Sequence, residues 1–274
     1  MIAGFPIEYA HARASARLAQ RPDERLWTQL HSARSVGAAL DAVRGSAAAP
    51  YVSGVTWPAP LADLELAFRQ QWRTRVDEVA RWAPDPWRAA LRWTAHLIDL
   101  PALVHLLGEE SLPPWIGADP ALSPYAHEER GERLAALAAG PLAPLALAVE
   151  TAEPPPRRLD PAAWQRARLH AALRAWEREW RARWPACDDE ARAGLERLVA
   201  VVRAHLIRFR ALAVDDAPAA RQRLATDVAA LLRRSAAQPA ALFAYLALVA
   251  LDLERLRGEI VARAAFRATP EAAS

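Results

Sequence analysis

The sequence predicts an all-α protein, and three observations lead to that prediction. First, alternating Val, Ile and Thr residues are rare, while Ala, Leu, Arg and Glu dominate the 274 residues and favour helices. Second, several segments repeat apolar residues at the three-to-four spacing of an amphipathic helix. Third, one helical pattern occurs twice, because residues 86–107 and residues 239–260 both start with proline, run apolar and meet one aspartate before a Leu-x-x-Leu pattern.

The repeated segment keeps a constant offset of 153 positions, which pairs Asp99 with Asp252 and Leu103 with Leu256. A fixed offset predicts one helical unit that the chain uses more than once. Two ordinary helices that share a proline and an aspartate by chance remain the alternative. Residues 190–213 resemble the unit weakly, with Arg203 where the aspartate would stand.

The first part of the chain predicts four helices in order. A short helix covers residues 9–18, a second starts near Asp23, and Ser35 caps a third that stops at Gly45. After a loop at 54–60, residues 61–82 predict a long amphipathic helix. Its apolar stripe consists of Leu64, Phe68, Trp72, Val76 and Val79.

The second part of the chain begins with a proline-rich passage, since residues 113–161 hold ten of the 22 prolines. It predicts loops with one helix at 128–139 and a lobe boundary at 153–156. A long helix at 161–184, one at 190–213 and a shorter one at 221–234 follow before the second copy of the repeated segment. The inward residues expected on the first two are Leu169, Leu173, Trp176, Trp180 and Trp184, then Leu195, Leu198, Val202, Leu206 and Phe209.

Composition excludes several functional classes. All 35 basic residues are arginine, which removes lysine-based chemistry, and acidic residues alternate with them to leave a net charge of only +3. A nucleic-acid partner is therefore not expected. The single cysteine, Cys187, excludes an internal disulfide. The apolar stretches at 134–149 and 239–251 are too short to cross a bilayer, and residues 1–18 lack the apolar core of a secretory signal.

The chain carries no convincing catalytic, cofactor or metal motif. Glu8-x-x-His11 has the spacing of a di-iron ligand pair but lacks a second copy. The acidic runs at 188–190 and 215–216 are better explained as helix caps. His96 and His105 lie nine positions apart, too far to share one metal ion on one helical face. The prediction is a protein that is not an enzyme and has no cofactor and no metal.

Several short motifs follow one another along the chain: a Tyr-x-x-Ala-Arg helix, a tyrosine-bearing loop at Pro50-Tyr51, and two Asp-Leu-x-x-Leu segments. The motif positions are Tyr9, Ala12, Arg13, Asp99, Leu100, Leu103, Tyr245, Asp252, Leu253 and Leu256. In this order the motifs resemble the C subunit of the bacterial and archaeal V/A-type ATPases, whose counterpart in eukaryotic V-ATPases is the d subunit. The chain departs from the family where Asp-x-x-Asn-Leu is usual, because Ala102 and Arg255 replace the asparagine.

The resemblance implies one domain over 1–274, built as a funnel of three similar helical lobes at about 1–110, 111–213 and 214–274. It implies a non-catalytic socket that links the rotor shaft subunits to the membrane c-ring and transmits torque. Ion transport, of protons for example, is thereby coupled to ATP hydrolysis or synthesis. The socket is a monomer within the complex, peripheral on the cytoplasmic face of the membrane. Two alternatives stay open: a helical adaptor or regulator that binds a partner helix, and an enzyme with an unmarked pocket that brings His96 and His105 together.

Overall fold

The computed structural model describes residues 6–108, 111–153, 161–209 and 216–268. All regular secondary structure within these ranges is helical, which confirms the all-α class. Three short 3-10 turns, Ala49–Tyr51, Thr94–Asp99 and Ser123–Tyr125, accompany thirteen α-helices in this part of the chain. The α-helices are α1 (Ile7–Leu18), α2 (Glu24–Ser32), α3 (Val36–Arg44), α4 (Leu61–Trp82), α5 (Asp85–Trp93), α6 (Leu100–Leu106), α7 (Pro114–Ala118), α8 (Arg130–Ala139), α9 (Ala143–Glu150), α10 (Pro161–Ala182), α11 (Asp189–Phe209), α12 (Ala217–Arg234) and α13 (Pro239–Ala268).

The first four helices begin and end close to where the sequence predicts. The Asp23 carboxylate accepts a hydrogen bond from the Leu26 amide at 2.8 Å and caps α2. The Ser35 hydroxyl does the same for the Ala38 amide at 3.0 Å at the start of α3. Helix α4 has the predicted bounds, and its whole predicted apolar stripe is buried.

The proline-rich passage is more helical than predicted, because α7 and α9 were not expected. Pro114 and Pro144 lie in the first turns of these helices, where a backbone N–H would have no partner within the helix. Prolines therefore start helices here instead of breaking them. Helix α9 buries Leu145 and Val149, and this burial offsets its short length.

Two predicted inward faces need correction. On α10, Trp176 and Trp180 are buried, but Leu169 and Leu173 are only half-buried, and small alanines take up much of the buried face. Trp184 lies two residues beyond the end of α10 and is half-buried as well. On α11, Leu195 and Leu198 are buried, Val202 is half-buried, and Leu206 is 37% exposed. The side chain of Phe209 lies outside the described set.

The chain forms two compact units. The terminal unit contains residues 1–91 and 185–274, and the middle unit contains residues 92–184. In the terminal unit α13 packs against α1, α3, α4, α11 and α12, so the last helix is the centre of that core. In the middle unit α10 packs against α6 and α9, and α8 packs against α9.

The two copies of the repeated segment differ in backbone conformation, but their paired aspartates and leucines are equally buried. The second copy lies in the continuous helix α13, whereas the first is divided into α5, a 3-10 turn and α6. Asp99 and Asp252 are nevertheless 1% and 5% exposed, and Leu103 and Leu256 are both fully buried. The expected three lobes stay a prediction. Their boundaries at 110 and 213, like residues 154–156 of the expected boundary loop, lie outside the described residues.

Candidate functional site: a polar network in the terminal unit

Helix α1 carries a stripe of polar residues at a spacing of four. Tyr9, Arg13 and Arg17 lie on one face of the helix, and Arg21 follows its end. Helix α1 packs against both α4 and α13, which supply the partners of this stripe. The four side chains and their partners on α4, α13 and the 3-10 turn Ala49–Tyr51 are called the α1 network below.

An ion pair between half-buried Arg21 and a buried carboxylate joins the end of α1 to α13. Arg21 Nε donates to Asp252 Oδ2 at 2.6 Å, and Nη2 donates to Oδ1 at 2.9 Å, so the pair is bidentate. The Asp252 side chain is 7% exposed and that of Arg21 is 23% exposed. Burial raises the pKa of the Asp252 carboxyl, and the hydrogen bonds and charge of Arg21 oppose that rise. The pair therefore ties the segment after the first helix to the last helix.

A second set of charges joins α1 to α4 and to the loop before it. Arg17 Nη2 donates to Glu78 Oε1 at 2.7 Å, and Arg75 Nη1 donates to Glu78 Oε2 at 2.7 Å. Arg75 Nη2 also donates to the Pro50 carbonyl at 2.7 Å. One carboxylate thus holds two guanidinium groups, which fixes the orientation of both arginines.

Aromatic rings form the apolar part of the network. The guanidinium carbon of Arg13 lies 5.5 Å from the ring centroid of Tyr9 and 5.5 Å from that of Trp82. The rings of Trp82 and Tyr245 lie 6.4 Å apart between centroids. Helices α1, α4 and α13 thus meet around the indole of Trp82, which closes the last turn of α4.

Two buried tyrosines complete the network. The Tyr51 side chain is 3% exposed, and within the described residues its hydroxyl makes no hydrogen bond. Burial first, and then the charges of Asp252 and Tyr245, raise the pKa of Tyr51. Burial first, and then the charge of Glu78, raises the pKa of Tyr245 to about 12. Both phenols stay protonated at physiological pH.

Four residues that carry the resemblance meet in this network: Tyr9, Arg13, Tyr245 and Asp252. Ala12 does not join them, because it points to solvent on the exposed side of α1. Leu253 and Leu256 are buried beside Asp252 on α13.

The remaining predicted positions lie in the middle unit and form a smaller polar cluster. Leu100 and Leu103 are buried, and His96 Nδ1 lies 3.1 Å from Asp99 Oδ2. Burial and the charge of Asp99 raise the pKa of Tyr125, which belongs to a Pro-Tyr 3-10 turn as Tyr51 does. Each copy of the repeated aspartate is therefore buried near the tyrosine of a Pro-Tyr turn.

Sequence reasoning missed five members of the α1 network. They are Arg17, Arg21, Arg75, Glu78 and Trp82. The sequence contains a signal for Arg17 and Arg21, because they continue the spacing of four residues that begins at Tyr9. Arg75 and Glu78 look like ordinary surface charges on an amphipathic helix, and only the packing of α1 on α4 reveals their role.

Of the two acidic runs explained as helix caps, the first is confirmed, because the Asp188 carboxylate accepts a hydrogen bond from the Ala191 amide at 2.7 Å at the start of α11. In the second run Asp216 stands at the start of α12 without a side-chain capping hydrogen bond, and Asp215 lies outside the described residues. Among the described residues no group of histidine, cysteine, aspartate and glutamate side chains could hold a metal ion. No helix in the described ranges combines the length and apolar character that a membrane span requires.

The middle unit contains a cavity of about 380 Å³. Trp164 and His105 line it, together with the pair formed by Arg130 and Glu150 at 2.6 Å and with Arg168. His105 lines this cavity and His96 does not, so the cavity does not bring the two histidines together.

Comparisons of this chain with protein-family models, with curated proteins and with solved structures gave no match.

Proposed function

We propose that this protein is a non-catalytic socket of a V/A-type rotary ATPase, which couples the rotor shaft to the membrane c-ring. The observation that carries the proposal is the α1 network. Residues that resemble the family's motifs, from Tyr9 to Asp252, converge on one packed cluster although they lie at opposite ends of the sequence. A chance resemblance of short motifs gives no reason for such convergence.

The physical character of the network suits a part that transmits torque. Part-buried arginine–carboxylate bonds and ring contacts connect the first helix, α4 and the last helix, so both segments of the terminal unit are fastened to one core. Rigid packing passes on a force without absorbing it in local rearrangement. In this proposal the network stiffens the socket and takes no part in chemistry, and neither a cofactor nor a metal is needed.

Affinity purification of the tagged chain from detergent-solubilised membranes of its own cells tests the proposal. We expect the head, shaft and ring subunits of a V/A-type ATPase to be recovered with it in near-equal amounts by mass spectrometry. The control is an unrelated tagged helical protein of similar size and arginine content, since a basic chain binds acidic material non-specifically.

The proposal is contradicted if no ATPase component is enriched over that control. Enrichment of a single unrelated protein would favour the helical adaptor instead. In either case excess untagged chain must displace the bound material, because only a specific complex is lost by competition.

A further inference from the structure

Two polar atoms of the α1 network are buried without a hydrogen-bond partner. They are the hydroxyl oxygen of Tyr51, in the 3-10 turn before α4, and the Nε of Arg75 on α4, and within the described residues neither makes a hydrogen bond. Tyr51 is 3% exposed, and the Arg75 side chain is 11% exposed. Folded proteins rarely leave such groups unpaired, because the lost hydrogen bonds to water are not replaced. Both atoms therefore need a partner that the surrounding side chains do not supply.

The other hydrogen bonds of Arg75 hold it beside the turn that carries Tyr51. Arg75 Nη2 donates to the carbonyl of Pro50, the residue before Tyr51, at 2.7 Å. Arg75 Nη1 donates to Glu78 Oε2 at 2.7 Å. Acceptors thus engage both terminal nitrogens of the guanidinium group, and these bonds fix its position next to the turn.

The electrostatics of Tyr51 place its hydroxyl in the same polar region. Burial first, and then the charges of Asp252 and Tyr245, raise the pKa of Tyr51, whereas the charges of Arg21 and Arg75 lower it. The phenol is therefore within electrostatic reach of both the Arg21–Asp252 ion pair and Arg75.

We propose that a buried water molecule bridges the Tyr51 hydroxyl and Arg75 Nε. A water oxygen accepts two hydrogen bonds, one from the Nε–H and one from the phenol, and buried waters typically make about three hydrogen bonds in all. Asp252 offers acceptors for the water's own hydrogens, because each of its carboxylate oxygens retains a lone pair beyond its bond to Arg21. A chloride ion is disfavoured, since the negative charge of Asp252 acts on the hydroxyl more strongly than the charge of Arg21 or Arg75.

The water joins two sets of hydrogen bonds into one network. Among the described residues, one set connects Arg21 to Asp252, and the other connects Arg17 and Arg75 to Glu78. Through the water and Tyr51, the turn before α4 becomes part of the polar contacts between α4 and α13. The water site stands independently of the rotary ATPase assignment, because it depends only on the core of the terminal unit.

Oxygen-17 relaxation dispersion of the solvent tests the site, because it counts the water molecules that stay inside the full-length protein. Tyr51→Phe removes only the hydroxyl and should lower the count by about one. Arg75→Met removes Nε, leaves Arg17 to face Glu78, and should lower the count by the same amount. Tyr9→Phe is the matched control, since Tyr9 is only half-buried and its surface waters exchange too fast to be counted. Circular dichroism checks that all three variants fold.

Urea denaturation of Tyr51→Phe gives a second readout, in which the sign of the change decides. A hydroxyl held by a water contributes to stability, so its removal should raise the equilibrium constant of unfolding by about fivefold. Removal of an unpaired hydroxyl would lower that constant instead, because the folded state would lose a buried group without a partner.

Four results would overturn the proposal. The water count could stay unchanged in Tyr51→Phe, it could stay unchanged in Arg75→Met, it could fall equally in Tyr9→Phe, or Tyr51→Phe could lower the equilibrium constant of unfolding. An unchanged count together with a raised constant would assign the hydroxyl to a direct bond with a protein group and reject the water.

Discussion

At the scale of single residues, the chain stabilises half-buried Arg21 and buried Arg133 in two different ways. Arg21 faces a carboxylate, while Arg133, only 3% exposed, donates to main-chain carbonyls. Arg133 bonds to the carbonyls of Leu106 at 2.7 Å, Gly108 at 2.9 Å and Glu128 at 2.7 Å. It thereby satisfies the end of α6 and connects it to the start of α8. Both arginines hold separate segments together, so their loss should be costly.

Replacing Arg21 by Met should lower the free energy of unfolding by about 3–5 kcal/mol, because Asp252 would remain buried without its ion-pair partner. The double variant Arg21→Met with Asp252→Leu should recover most of that loss, since no buried charge remains. Urea denaturation followed by circular dichroism gives the free energy of unfolding of the wild type, the single variant and the double variant. The control Arg221→Met breaks an exposed pair, with side chains 38% and 50% exposed, and should cost less than about 1 kcal/mol. Equal losses at Arg21 and Arg221 would contradict the buried pair.

Stability should fall as pH rises above 10, because the pKa of Tyr245 is about 12 in the folded protein. The ordinary tyrosine pKa near 10 applies to the unfolded chain, so the folded state holds the proton more tightly in this window and alkali favours unfolding. By pH 12 the titration of Tyr245 alone should lower the free energy of unfolding by about 2 kcal/mol.

The variant Tyr245→Phe tests this dependence in urea denaturation at pH 9 and pH 12. It should lose less stability between the two pH values than the wild type, whereas the control Tyr9→Phe should behave like the wild type. An unchanged pH dependence in Tyr245→Phe would show that Tyr245 is not the group responsible.

At the scale of helices, the sequence was most informative where apolar spacing and capping agree. Helix α4 was predicted residue for residue, because its stripe, a proline before it and a proline after it all mark the same bounds. Helix α9 was missed because Pro144 looks like a breaker when the position of the helix start is unknown. The α1 network was only half predictable. Tyr9 and Asp252 lie in recognisable motifs, but Glu78 acquires its role from the packing of α1 on α4.

The connection between α12 and α13 contains a backbone strain that glycine would relieve. Ala237 has a φ of 58°, in the left-handed region that side chains disfavour. Ala237→Gly should therefore not lower the free energy of unfolding, and it should raise it by at most about 1 kcal/mol. The neighbouring Ala236→Gly is the matched control and should lower it, because it only adds freedom to the unfolded chain. Thermal denaturation compares the two, and a larger loss at Ala237 than at Ala236 would contradict the strain.

At the scale of the whole molecule, the two units differ in how the chain builds them. The middle unit is one uninterrupted segment, 92–184, whereas the terminal unit needs residues 1–91 and 185–274 together. Its central helix, α13, lies in the second segment and covers α1, α3 and α4 of the first. Local patterns could predict each helix, but which helices share a unit depends on contacts between distant parts of the sequence.

This division predicts the behaviour of fragments. Residues 92–184 should fold alone, with helical circular dichroism and a cooperative thermal transition, because their core is made within the segment. Residues 1–91 alone should stay unfolded, since α4 would expose its apolar stripe. Co-expression with residues 185–274 should restore folding of 1–91, and a cooperative transition of 1–91 by itself would contradict the division.

The most direct test of the central claim is ion pumping in inside-out membrane vesicles from cells that lack this chain. A socket between shaft and ring must be present for ATP hydrolysis to drive ion movement. We predict that the V/A-type enzyme of these vesicles builds no ion gradient when ATP is added. Titration with the purified full-length protein should restore the gradient until it reaches a plateau. An equal ATP-driven gradient with and without the protein would contradict the socket and leave an all-α protein that acts elsewhere.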